Sequence, residues 1–362
     1  MKKVASKLTS LVVLSALLIL PVQASSETDI DWLTTNKKIA YKHIVPLYVS
    51  LASSTQRLAN SVQSLCASGE TVVPTKKVKK HFSAAYLDWA QVQHIKFGPV
   101  GFLKRLERIQ FWPDKHNSSE RQVRKLLNEI EGGKQYTTLQ FQKKSVAVQG
   151  FTTLERMLFS NDGLMTPQEC TLASYVAANL RIIASELDAN WRLEPVEYAK
   201  EFELAGRETG TYGSSEEVIT ILANAFATQL LIISEYKLGR ALPKKDGGRV
   251  FARKMEAWRS EKSLEMALVS LKSLKSLYKL AFKTTLKRTN KELDNRIEKQ
   301  FSTIISGIKK TSRPMVSLVE NEAGVKRVVF LKAEVEKLEA MVRAELFPAL
   351  GFATRFNSLD GD

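Results

Sequence analysis

Apolar positions along the chain recur with helical spacing. In Ser145–Ser160 (SVAVQGFTTLERMLFS), Ala147, Phe151, Leu154 and Leu158 follow the 4-3-4 interval of a helix face turned into a core. Glu155 lies one turn beyond Phe151, so this stretch predicts an amphipathic helix with an acid bordering its buried stripe. The same period predicts a helix over Asp29–Cys66, kinked at Pro46, and a second over Thr75–Phe97, stopped by Gly98-Pro99. A shorter helix is expected over Ser118–Glu131. Thr166-Pro167 with Glu169 opens another, with the stripe Leu172, Val176, Leu180, Ile183, Leu187 and Trp191. In the second half, Ser214–Glu217 starts a helix with the apolar core Val218–Ile233, followed by helices over Phe251–Lys283, Lys287–Lys310 and Glu322–Leu346. The Val218–Ile233 run holds Thr220, Asn224, Thr228 and Gln229 and falls short of the ~20 apolar residues a membrane span needs, so it reads as a buried helix. Strand signals are nearly missing. The expected fold is all-α.

Two stretches interrupt the pattern. Gly98–Asn117 loses the helical period yet is rich in aromatics, with Phe102, Phe111 and Trp112, and it gathers Arg105, Arg108, Trp112, Pro113 and Asp114. Such a connection is either functional or a plug for the end of a bundle, with Arg108 paired to a carboxylate. Pro195–Gly213, with three glycines, marks the best boundary. The expected organisation is a leader (1–24), an N-terminal helical bundle (25–205) and a C-terminal bundle (206–362).

The N-terminus carries Lys2, Lys3 and Lys7, the apolar run Leu11–Leu20, and Val22-Gln23-Ala24, the pattern of a cleavable signal peptide. No cysteine directly follows the run, which argues against a lipoprotein and for a periplasmic location. Cleavage removes those three lysines and lowers the formal charge from +16 to +13. An exported chain rarely meets nucleic acid as a dedicated ligand, so an anionic lipid surface is the more available partner for this charge. Lys272, Lys275, Lys279, Lys283 and Lys287 form one candidate patch, although they flank the apolar stripe Leu264–Tyr278 and also read as a solvated helix face. Cys66 and Cys170 are the only cysteines, and an even count in an oxidising compartment points to a disulfide; the bland alternative is two buried thiols that never meet.

Nucleophilic chemistry finds little support: there is no Gly-x-Ser-x-Gly, and His43, His81, His94 and His116 are scattered. The run Gly150-Phe151-Thr152-Thr153-Leu154-Glu155 resembles the Gly-x-His-x-x-Glu signature of imelysin-like proteins. VAVQGFTTLERMLF, the FGP at Phe97–Pro99, RIQFWPD at Arg108–Asp114, EAWRSEKSL at Glu256–Leu264 and the terminal FNSLDGD extend the resemblance across most of the chain. It implies an exported protein of two packed helical bundles, linked to iron regulation and in some members called a peptidase.

Thr152 stands where the signature has histidine, and a neutral hydroxyl is a poor substitute for imidazole as a metal ligand. Peptidase activity is therefore not expected. The expected role is a non-catalytic periplasmic binding or accessory component in iron handling, alongside iron-uptake components of the envelope. Iron or haem is a possible cofactor, though the sequence requires none. Glu155 is the best single metal candidate, and Arg108 or Arg105 is its natural ion-pair partner, either as pure structure or lining a ligand cleft. The same choice applies to Glu256, Arg259 and Ser260, and to Asp360 and Asp362 should the tail reach the cleft. The rivals are a metallopeptidase with ligands from distant residues and an envelope lipid-interaction protein.

Overall fold

The long first helix is divided. In the computed structural model, which describes residues 30–160, 162–243, 248–311 and 313–352, α1 (Trp32–Ile39) passes through a π turn, Ala40–Ile44, into α2 (Val45–Leu65). Pro46 has no N–H for the Lys42 carbonyl, and the wider turn, closed by the Val45 N–H on the Ala40 carbonyl, absorbs that mismatch. The leader and the tail with Asp360 and Asp362 lie outside the described residues.

Thr75 caps α3 (Lys76–Val92), its hydroxyl accepting from the Val78 N–H at 3.3 Å. The helix ends at Val92 rather than Phe97 because Gln93, His94 and Ile95 turn inward and are buried. The aromatic stretch contains a 3-10 turn, Gly98–Gly101, and the short helix α4 (Arg105–Ile109), followed by α5 (Ser118–Glu131) and α6 (Thr138–Gln142). Ser145–Ser160 is not one helix. A 3-10 turn, Val146–Val148, leads into α7 (Gly150–Leu158), although the face Ala147, Phe151, Leu154 and Leu158 is buried as its spacing requires. α8 (Pro167–Arg192) opens with a capping box of Thr166 and Glu169, and α9 (Tyr198–Glu201) lies in the boundary stretch.

α10 (Ser215–Leu231) continues into a second π turn, Ile232–Leu238. Ser215–Ala241 is long and apolar enough to cross a membrane, yet it lies mostly buried within the fold. α11 (Ser263–Ala281) starts at Ser263 instead of Phe251; then come α12 (Lys283–Thr289), α13 (Lys291–Lys309), α14 (Met315–Leu318), α15 (Glu322–Met341) and α16 (Phe347–Ala349).

The architecture is all-α, two packed bundles, with no strand among the described residues and a lone bridge between Val72 and Met165. α2, α3 and α8 form the first bundle, floored by α7; α10, α11, α13 and α15 form the second. They meet along α3 and α11, where Ser270 and Ser273 donate to the carbonyls of Ala90 (2.8 Å) and Gln91 (2.7 Å). In the lysine stripe, Lys275 and Lys283 pair with Glu298 of α13 at 2.8 and 2.9 Å, so these two serve helix packing while Lys272, Lys279 and Lys287 stay exposed.

Cys66 and Cys170 are bonded, tying the end of α2 to the start of α8 across 104 residues of chain. Closing so long a loop restricts the unfolded chain, so Cys66→Ala/Cys170→Ala is expected to lose about 2–5 kcal/mol in denaturant unfolding; an unchanged midpoint would show that the bond contributes nothing.

The first π turn delivers His43 against His94, with their Nε2 atoms 2.9 Å apart and both rings buried. Burial lowers the His43 imidazole to about 4. His94 is also held well below its ordinary range, by burial first and by His43 second. A depressed imidazole contributes stability above its unfolded value of about 6.5 that is lost as pH falls through the folded value. Denaturant midpoints are expected to drop as pH falls from about 6.5 to about 4. The drop should be smaller in His43→Asn/His94→Asn.

Candidate functional site

Between the second π turn and α11, residues 249–262 form an irregular strap. It holds one 3-10 turn, Ala252–Lys254, and Ala257 and Glu261 adopt left-handed backbone with φ of 52° and 61°. Left-handed non-glycine residues persist only where the surroundings over-determine them. Two buried carboxylates provide that determination.

The first is the strap's own Glu256, 1% exposed. It forms an ion pair with Lys237, which the π turn directs inward and which is equally buried. Its other oxygen accepts from Gln110 Nε2 at 2.7 Å and Gln93 Nε2 at 3.1 Å. Gln110 Oε1 in turn accepts from Trp89 Nε1 at 2.7 Å, and its Nε2 donates to the Tyr86 hydroxyl at 2.8 Å. The Ser263 hydroxyl closes the strap on the Glu256 carbonyl at 2.6 Å. Burial lowers the Lys237 ammonium while Glu256 opposes that shift.

The second is Glu155, 2% exposed on α7. It accepts from the Ser260 backbone N–H at 2.9 Å and the Ser260 hydroxyl at 2.6 Å. Neither expected arginine reaches it. Arg105 donates to the Pro99 carbonyl and to Glu186, both at 2.8 Å. Arg108 donates to Gln149 Oε1 at 3.1 Å and Asn179 Oδ1 at 3.0 Å, fixing α4 to α8 and to the start of α7. Burial raises the Glu155 carboxyl above its usual range, with the Ser260 bonds and Arg259 opposing.

Gly150 sits at φ 78°, and a Cβ there would lie 2.3 Å from the Ile109 carbonyl oxygen. Only glycine lets the α4 backbone approach so closely. Thr152 is half-buried, 3.5 Å from the Phe111 carbonyl. Asp114 caps α5: its carboxylate accepts the N–H groups of Ser118 (3.0 Å) and Ser119 (2.8 Å), which hold it below its ordinary range against a desolvation that would raise it.

Trp112, Asp114, Thr152, Glu155 and Arg259 line one cleft of about 1450 Å³. Ser260 stands behind it through Glu155, Glu256 lies beneath the strap in the polar network, and Arg105 and Arg108 point elsewhere. The cleft also contains Tyr86, Arg156, Arg240, Arg249, Arg253 and Lys254, which the sequence reading passed over. The available signal was the interleaving of basic and aromatic residues in RVFARKMEAWR, obscured by assigning that run to a helix. Arg259 lies over the Trp258 ring at 4.2 Å and Lys254 over Phe251 at 4.1 Å. Burial, Arg156 and Arg253 lower the Arg259 guanidinium to about 10, with Glu155 and Glu120 opposing, so it remains charged at neutral pH.

Among the described residues, no three of histidine, cysteine, aspartate and glutamate come together. Glu155, the best single candidate, is engaged by Ser260 and faces Arg259.

The family model described as Imelysin matches residues 44–342. An imelysin-like protein from Psychrobacter arcticum 273-4 superposes with a TM-score of 0.72 at 16% identity, covering 91% of this chain and 99% of its own. A protein from Parabacteroides distasonis ATCC 8503, designated an iron-regulated protein A precursor, gives 0.68 at 15% identity, covering 87% and 95%. No curated protein matches the sequence.

A carboxyl raised by burial contributes stability that is full below its unfolded value of about 4.3 and lost as pH rises through the folded value. Glu155→Gln is therefore expected to flatten that decline in denaturant titrations at stepped pH. Ser260→Ala, which strips one bond from a buried acceptor, should lose about 1–3 kcal/mol. Equal pH profiles for wild type and Glu155→Gln would contradict this assignment.

Proposed function

The chain belongs to the imelysin family, and on that premise we propose that it is an exported, non-catalytic binding or accessory component in iron handling, with its ligand held in the cleft beneath the strap. The observation that carries this reading is the engagement of Glu155 by Ser260. A carboxylate with one oxygen engaged by both a backbone amide and a hydroxyl, next to a guanidinium, is poorly placed to ligate zinc or to accept a proton from attacking water. Thr152 brings no imidazole to the signature position. The iron link draws on the family and on the designation of the Parabacteroides neighbour. A periplasmic location accords with the leader and with the disulfide of Cys66 and Cys170. Iron-uptake components of the envelope are the natural partners.

Metal analysis and peptidase assays of the purified protein separate this reading from its rival. We expect no stoichiometric zinc and no proteolysis, together with retention of ferric iron supplied in chelated form through gel filtration. Stoichiometric zinc that disappears along with proteolysis in Glu155→Ala would overturn the non-catalytic assignment. Failure to retain ferrous iron, ferric iron or haem, in any form supplied, would overturn the iron assignment.

A further inference from the structure

We propose that the cleft recognises a small organic polyanion bearing several carboxylates, and that iron enters it as the anionic ferric complex of such a molecule. This rests on the binding role proposed above and specifies its ligand.

Cationic groups reach the cleft from separate elements: Arg156 from α7, Arg240 from the end of the π-turn helix, and Arg253 and Arg259 from the strap. Among the described residues none of these four side chains forms an ion pair or hydrogen bond with the protein. Exposed arginines elsewhere occur both with acids, as Arg296 on Glu345 and Arg192 on Asp188, and, among the described residues, without ion pairs, as Arg121 and Arg207, so what sets these four apart is their convergence on one cleft. Asp114, Glu120, Glu155 and Glu169 also line this cleft of about 1450 Å³, but they are outnumbered by its arginines and lysines, and none pairs directly with these four guanidinium groups. The surplus of forks is complementary to a multiply charged anion, since each planar fork donates bidentately to a carboxylate.

The chemistry of the walls narrows the class. Trp258 lies under Arg259 and within 5.7 Å of Arg253, and Trp112 also faces the cleft. Aromatic surface beside the forks suits a carbon skeleton between charged ends, while a compact inorganic ion would leave most of the forks and both rings unused. The net positive field repels a free ferric or ferrous ion and attracts a ferric polycarboxylate, whose carboxylates have already neutralised the metal. The complex then needs no ligand from the protein.

Isothermal titration of the full mature chain with citrate, ferric citrate and inorganic phosphate tests the inference. Citrate and ferric citrate should bind, weaken as salt is raised, and bind roughly tenfold or more weakly to Arg156→Gln/Arg253→Gln, as expected for lost charge-assisted bonds. Arg253 is exposed and Arg156 half-buried, so an unchanged melting temperature would confirm that this variant folds. Phosphate binding as tight as citrate, or citrate binding unaffected by the substitutions, would overturn the inference. Binding of uncomplexed ferric iron without citrate or ferric citrate would overturn the inference and leave the iron role standing. Binding of citrate but not ferric citrate would support polycarboxylate recognition and remove the iron role.

Discussion

The ion pair of Lys237 with Glu256 is the contact on which the rest of the molecule depends. Both groups are withdrawn from water, so each is tolerable only while the other is present, and removing either from such a pair typically costs about 3–5 kcal/mol. The pair joins three things that the chain separates: a π turn in the second bundle, a strap without regular structure, and the glutamines that leave α3 and α4 in the first bundle. Glu256 accepts from both Gln93 and Gln110, so docking of the bundles and placement of the strap are a single event. Glu155 then grips the same strap four residues later, through Ser260.

The helices were legible because burial imposes a 3.6-residue period. Thr166 with Glu169 announced the start of α8, and the apolar core Val218–Ile233 announced α10. The misread boundaries have local causes. Ser145–Ser160 looks continuous by hydrophobic spacing alone, but Gly150 must adopt φ 78° to admit the Ile109 carbonyl. Phe251–Ser260 carries apolar residues at plausible helical intervals, but its backbone closes only short turns, and Glu256 and Ser260 bond to other parts of the chain. Periodicity registers which positions are buried, whereas those bonds are long-range. The pairing of Glu155 illustrates the limit: an acid beside a core signals a partner, and nothing local distinguishes Ser260 from Arg108.

The short runs that resembled one family share a physical explanation. Gly150 and Glu155 come from VAVQGFTTLERMLF, Gln110 and Asp114 from RIQFWPD, Glu256 and Ser260 from EAWRSEKSL. In the fold they form one assembly around the strap, each satisfying a buried polar group or a helix end supplied by another. The arginines of the cleft belong to a different layer. Arg253 and Arg259 pack on the Trp258 ring, but the guanidinium groups of the cleft make no ion pair with an acid among the described residues.

The strap is held by side chains from both bundles, and its own backbone bonds close only short local turns. Its order is therefore conditional on the two bundles remaining together. A molecule seated against Trp258 and Arg259 would favour the docked arrangement by its own binding free energy. By the reciprocity of linkage, anything that pries the bundles apart would release that molecule. Capture and discharge would then be opposite ends of one mechanical coordinate, with the Glu256 contact as its latch.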